Sequence, residues 1–209
     1  DKTLDWPAIK GIGGSLIYFT DQYWKTSPYN EEFDWVDNAY PAGAGFYYLD
    51  HLTHNVHKGN MDKWFRFYGD LFNFREIRFF DIKGEYTGLK SRAMTAPDGK
   101  IRIPLNEEAS KGTGQIEEYL MEFNGEGIQH IAVGTEDIYA SVDAVAERGL
   151  KFMPGPNDHY YEMSRERVKD HAEPLDAMKK HGILIDGEGV VDGGMTKILL
   201  QIFSKTVIG

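Results

Sequence analysis

Seven histidines and no cysteine set the terms for any metal or nucleophile chemistry in this sequence. Two of the histidines stand out. His51 lies in Tyr47-Tyr48-Leu49-Asp50-His51-Leu52-Thr53-His54-Asn55-Val56, and His130 lies in Gly127-Ile128-Gln129-His130-Ile131-Ala132-Val133. Both runs have strand character, and each is followed by a helical pattern and then by an aromatic, strand-like stretch. His51 precedes Phe74 by 23 residues and His130 precedes Phe152 by 22, so they occupy matching places in a duplicated unit of negligible internal identity. Singly, each reads as a hydrogen-bonded core histidine; together they read equally well as metal donors. Imidazole suits iron, zinc, copper or nickel, and without thiolates the other donors must be carboxylate, water or substrate. Two histidines and one carboxylate would leave positions open on ferrous iron for oxygen and substrate.

No carboxylate is an obvious third donor. Asp50 neighbours His51 but should point to the opposite face of a strand, and Glu107, Glu108 and Glu126 read as solvated surface. His54 alternates away from His51 for the same reason. His57, at the strand end, and His159, His171 and His181, in a polar stretch, read as surface. Several uncharged polar residues fall in apolar or strand settings: Ser91, Asn106, Gln115, Gln129 and Gln201. A buried amide needs a partner, and several converging on one pocket would suit a polar organic substrate such as a keto acid or a phenol.

The elements that must position these residues can be read in part. Met61, Trp64, Phe65, Tyr68 and Phe72 share one face of a helix over 61–72. Phe74 to Asp81, Leu89 to Thr95 and Lys100 to Leu105 read as strands, with Gly84 and Gly88 at one turn and Pro97-Asp98-Gly99 at the next. The first unit is therefore β-α-β-β-β over 46–108. The second, over 127–209, has a strand from Gly127, a helix with Thr135 as N-cap and Gly149 as C′ glycine, a polar helical insertion at 154–190, and a strand at Lys197 to Phe203. Residues 1–45 carry a strand at Leu16 to Phe19 and a long aromatic connection (Tyr23, Trp24, Tyr29, Phe33, Trp35, Tyr40). Gly11, Gly13 and Gly14 precede that strand without a following Lys-Ser/Thr pair, so they mark a turn and not a phosphate loop.

Composition bounds the function. The 209 residues carry a formal net charge of −10, which disfavours nucleic acid or an anionic membrane as partner. No run approaches the 18 apolar residues of a membrane span. The absence of cysteine fits a reducing compartment, and the cytoplasm is the expected location.

Asp50-His51-Leu52-Thr53-His54-Asn55-Val56, Phe74-Arg75-Glu76-Ile77-Arg78, Asp81 to Leu89, Ile103-Pro104-Leu105-Asn106-Glu107, Gln115 to Tyr119, Gly127-Ile128-Gln129-His130 and Leu199-Leu200-Gln201-Ile202-Phe203 together resemble the bacterial 4-hydroxyphenylpyruvate dioxygenase family. The likeness runs in order along nearly the whole chain. It implies an α+β fold of tandem βαβββ modules, the vicinal oxygen chelate fold, forming a partly open, barrel-like mixed sheet. It also implies an Fe(II) enzyme of tyrosine catabolism that takes an aromatic α-keto acid and O2 to homogentisate and carbon dioxide. By motif, His51 and His130 match iron ligands, and Ser91, Asn106, Gln115, Gln129, Gln201 and Phe203 match substrate-pocket positions. In that family a further strand carries a glutamate ligand and a helix follows it. The resemblance makes 1–45 the tail of an N-terminal domain plus linker and 46–209 a catalytic-type domain lacking that final strand, with weak iron binding and little turnover. A homo-oligomer is expected. The nearest alternative is 4-hydroxymandelate synthase, and a non-catalytic ligand-binding or dimerising module of the same fold is another.

Overall fold

The first unit forms the β-α-β-β-β order that its pattern demands, and the reason is the division of its residues between two sheet faces. The structure, a computed structural model, describes residues 6–21, 29–34, 36, 42–83, 88–109, 114–190, 194 and 196–207. In chain order, β1 (Ala8–Lys10) and β2 (Leu16–Tyr18) form an antiparallel pair, and α1 (Tyr29–Glu32) follows. Then come β3 (Phe46–Val56), α2 (Met61–Phe72), β4 (Arg75–Lys83), β5 (Gly88–Thr95), β6 (Arg102–Glu108), α3 (Gln115–Glu122) and β7 (Gly127–Thr135). The second half holds α4 (Ile138–Glu147), α5 (Asp158–Glu162), α6 (Ser164–Arg167), α7 (Leu175–His181), β8 (Leu184–Val190) and β9 (Thr196–Gln201). The expected linker aromatics Tyr23, Trp24, Trp35 and Tyr40, and the turn glycine Gly84, lie outside the described residues.

Contact density divides the chain into two units: Asp1–Pro41 with Tyr48–Gly134, and Ala42–Tyr47 with Thr135–Gly209. Both histidine positions, 51 and 130, therefore belong to the first unit. The same unit takes in Asp1–Pro41.

The sheet of the first unit is open and mixed, in the order β4-β5-β6-β3-β7. β3 and β6 run parallel, pairing His54 with Leu105 and Asn55 with Asn106, while β5 lies antiparallel to β6 and pairs Ser91 with Asn106. Paired residues share a face. On one face Val56, Met94, Ile103 and Leu105 pack against Met61, Trp64 and Tyr68 of α2, with Ile12 from the β1–β2 turn joining them. Each such fully buried side chain contributes roughly 1.5–3 kcal/mol, enough to hold α2 on this face. The predicted apolar face of the helix is the one that packs.

Two carboxylates expected at the surface anchor this layer instead. Glu107 accepts from the backbone N–H groups of Gly59 (2.8 Å) and Met61 (3.1 Å), at the start of α2. Glu126 accepts from His57 N (2.9 Å), Asn60 Nδ2 (2.6 Å) and Trp64 Nε1 (2.7 Å). Burial alone would raise its carboxyl, but these hydrogen bonds outweigh burial and hold it below the usual value. Glu108 is also buried. The glycine-rich turn before β2 serves packing: Gly13 has φ +60, and a Cβ there would lie 2.0 Å from the carbonyl oxygen of Glu126.

In the second unit α4 begins two residues later than expected. Asp137 is the N-cap, accepting from Ala140 N at 3.0 Å, while the Thr135 hydroxyl pairs with Ser141 Oγ at 2.7 Å. Gly149 sits at φ +93 past the helix end, as its place in the sequence requires. The aromatic strand expected at Phe152 is reduced to one bridge with Ser204. The stretch read as a polar insertion at 154–190 has its own core, Tyr161, Val168, Met178 and Ile185, and it ends in β8, paired antiparallel to β9. His171 is consequently buried and the His181 side chain nearly so; among these three, only His159 is the surface residue expected.

Candidate functional site

β3 places His51 on the sheet face opposite α2. Alternation puts Thr53 and Asn55 on the same face and sends His54 into the core, where its Nε2 lies 2.8 Å from Tyr68 Oη. Burial pushes the His54 imidazole down to about 4, so it is neutral near pH 7. The next strand over, β7, brings His130 to the first histidine. The two Nε2 atoms are 3.2 Å apart, with ring planes at 76°.

Each imidazole is held by its other nitrogen. His51 Nδ1 donates to Asp50 Oδ2 at 2.7 Å. His130 Nδ1 donates to Gln129 Oε1. A carboxylate only accepts, so a neutral His51 carries its proton on Nδ1 and presents a bare Nε2; the amide oxygen does the same for His130. Thr53 Oγ1 lies 2.9 Å from His130 Nε2. Burial, with the charge of His51 adding to it, lowers the His130 imidazole to about 4. Both Nε2 atoms are thus unprotonated and lie side by side, with the Thr53 hydroxyl placed to donate to that of His130.

That arrangement fits a metal ion. Two nitrogens each about 2.1 Å from a cation, with roughly 100° between the bonds, lie about 3.2 Å apart. The observed separation therefore matches an adjacent pair of donors, and two facing lone pairs repel unless a cation or proton lies between them. Among the described residues no cluster of three or more acidic or histidine side chains surrounds such a point. The expectation for Asp50 is corrected in its direction: it turns back to His51 and is not on an unrelated face. Its Oδ1 accepts from Arg102 Nη1 at 2.7 Å and from the Tyr48 hydroxyl at 3.2 Å. Burial would raise the Asp50 carboxyl, yet the bonds from His51 and Tyr48 and the charge of Arg102 prevail and keep it low.

Of the polar residues singled out in the sequence, Ser91 and Asn106 share the His51 face by register, both half-buried. Asn106 Nδ2 approaches Asn55 Oδ1 at 3.5 Å. Gln129 is brought directly to His130. Gln115 opens α3 and is exposed. Gln201 and Phe203 belong to the second unit: Gln201 ends β9 opposite Leu184, and the Phe203 carbonyl accepts from Met153 N at 2.8 Å. Sequence reading missed Thr53, Arg102 and Tyr48. The parity of Thr53 with His51 was the one available signal.

The profile of the Glyoxalase/Bleomycin resistance protein/Dioxygenase superfamily matches residues 48–173. The chain is 54% identical over 209 residues to a 4-hydroxyphenylpyruvate dioxygenase of Pseudomonas sp. (strain P.J. 874), covering 99% of this chain and 58% of that protein. It is also 54% identical over 210 residues to Hemolysin VllY of Vibrio vulnificus (strain CMCP6), covering 99% and 57%. Among solved structures, a xylose isomerase-like TIM barrel/4-hydroxyphenylpyruvate dioxygenase fusion protein superposes with a TM-score of 0.74 at 24% identity, over 96% of this chain and 30% of the other. The chain therefore spans less than two thirds of the length of these relatives. Among the described residues no helix is long and apolar enough to cross a membrane.

Proposed function

Because the chain belongs to the Glyoxalase/Bleomycin resistance protein/Dioxygenase superfamily, we propose that it carries the iron-binding histidine pair of a 4-hydroxyphenylpyruvate dioxygenase. The observation that supports this reading is the approach of His51 Nε2 and His130 Nε2 to 3.2 Å, each with its opposite nitrogen engaged. The 54% identity to a dioxygenase of that name supports 4-hydroxyphenylpyruvate as the substrate class.

His51 and His130 would hold Fe(II), with the remaining positions left to substrate and a further donor. Iron, when bound, would couple oxygen to the decarboxylation of a keto acid and the hydroxylation of its ring. The protein groups have simpler work. Neutral imidazoles donate without a proton to expel, which the lowered His130 favours. Ser91 and Asn106 would orient the polar ends of 4-hydroxyphenylpyruvate over the His51 face, and Gln115, Gln129, Gln201 and Phe203 take pocket roles on the strength of the resemblance.

The test is anaerobic Fe(II) titration with and without 4-hydroxyphenylpyruvate, followed by product analysis after air is admitted. The reading predicts weak Fe(II) binding that tightens with the keto acid, and homogentisate as the trace product. Turnover should fall well below the roughly 1–10³ s⁻¹ ordinary for enzymes. 4-Hydroxymandelate as product would move the chain to the mandelate synthase reading. Ordinary turnover would show that the donor set is complete without another chain segment. No metal binding at all would favour a non-catalytic module.

A further inference from the structure

The contacts of Asp50 give it a task other than metal donation. Both carboxylate oxygens are already engaged: Oδ2 by His51 Nδ1 at 2.7 Å, and Oδ1 by Arg102 Nη1 at 2.7 Å and the Tyr48 hydroxyl at 3.2 Å. Arg102 comes from β6, on the far side of β3 from β7. The carboxylate is thus fixed from a separate strand and from its own, and it meets the face of His51 turned away from His130. We propose that Asp50 is a positioning residue for His51: held by Arg102 and Tyr48, it keeps the proton on Nδ1 and aims Nε2 at His130. This role rests on the metal reading of the histidine pair.

The physical case is the asymmetry between the two rings. Gln129 is neutral and its amide can turn, so it can offer His130 either an acceptor or a donor. Asp50 can offer only an acceptor, and Arg102 prevents it from swinging away. A carboxylate behind an imidazole also makes the far nitrogen a better donor. Without it, a neutral imidazole in this setting could place its proton on Nε2, where it would face His130 Nε2 and block one donor position. A carboxylate thus selects which nitrogen of His51 is available.

The experiment has two arms. In the first, long-range ¹H–¹⁵N spectra of the metal-free protein near pH 7 report the tautomer of His51 directly. The wild type should show Nδ1–H; Asp50→Ala should shift it toward Nε2–H, and Asp50→Glu should restore most of the wild-type signal. In the second, Fe(II) under argon and Zn(II) are titrated against the same proteins. Asp50→Ala should weaken binding by about 10–100-fold, the range for loss of a partner behind a metal-binding histidine. Arg102→Gln, which keeps the carboxylate but removes its anchor, should show a smaller loss in the same direction. A wild type that binds neither ion overturns the metal reading, while the tautomer arm still decides whether Asp50 orients His51. An unchanged tautomer and unchanged affinity in Asp50→Ala, with wild-type binding intact, overturns the positioning role alone. A misfolded Asp50→Ala leaves Arg102→Gln and Asp50→Glu to decide it.

Discussion

His51 and His54 sit three residues apart on one strand and live on opposite faces of one sheet. His54 is 2% exposed beneath α2, against Tyr68, whereas His51 is half-buried and faces His130. The same side chain is a packed core residue on one face and, on the other, a half-buried imidazole turned toward a second one. What separates them is the neighbours each face supplies. The helix side offers apolar bulk and one phenol; the other side offers Asp50, Thr53, Asn106 and a second imidazole. A histidine on a strand is given its task by parity.

The sharpest way to break this contrast is to damage the packed face alone. Leu105→Ala removes a fully buried side chain paired with His54 and should cost about 2–5 kcal/mol. Urea unfolding should show that loss, while metal affinity of the protein that remains folded stays near wild type. A matching loss of affinity would mean that the two faces are not separable.

Next in size is the pH dependence that His54 contributes. Its folded value of about 4 lies below its ordinary 6.5, so the unfolded chain takes up a proton first as pH falls. Its contribution is complete above pH 6.5 and is lost between there and pH 4, reaching at most roughly 3 kcal/mol. His54→Gln should flatten that part of the stability–pH curve. An unchanged slope would show that His54 titrates normally.

A smaller effect should follow from Glu126→Gln. The amide can accept from only one side, leaving at least one of His57 N, Asn60 Nδ2 and Trp64 Nε1 short of an acceptor, at a cost of about 1–3 kcal/mol. Thermal melts would register it; no change would mean that solvent replaces the lost acceptor.

Much of this was legible in the sequence. The helical face from Met61 to Phe72, the order of the first unit and the opposition of His51 to His54 follow from periodicities of 3.6 and 2, which depend on local spacing alone. The pairing of His51 with His130 was readable from their matching places in a repeat. What escaped were contacts between elements far apart in the chain. Glu126 reads as turn surface until His57, Asn60 and Trp64 are folded around it, and nothing near Asp50 announces Arg102, 52 residues away. His171 looked solvated because its stretch is polar, yet that stretch builds its own core from Tyr161, Val168, Met178 and Ile185. Thr135 is a good cap by type, but Asp137 reaches the free N–H of Ala140 and Thr135 pairs with Ser141.

The central claim is that His51 and His130 act together as metal donors while His54 does not. Anaerobic Fe(II) titration calorimetry of the wild type, His51→Ala, His130→Ala and His54→Gln tests it most directly. The expected result is one ion per wild-type chain and losses beyond about 100-fold in either donor variant, more than a supporting partner would cause. His54→Gln should bind like the wild type. Fe(II) affinity that survives in both His51→Ala and His130→Ala, or that falls as far in His54→Gln, would contradict it.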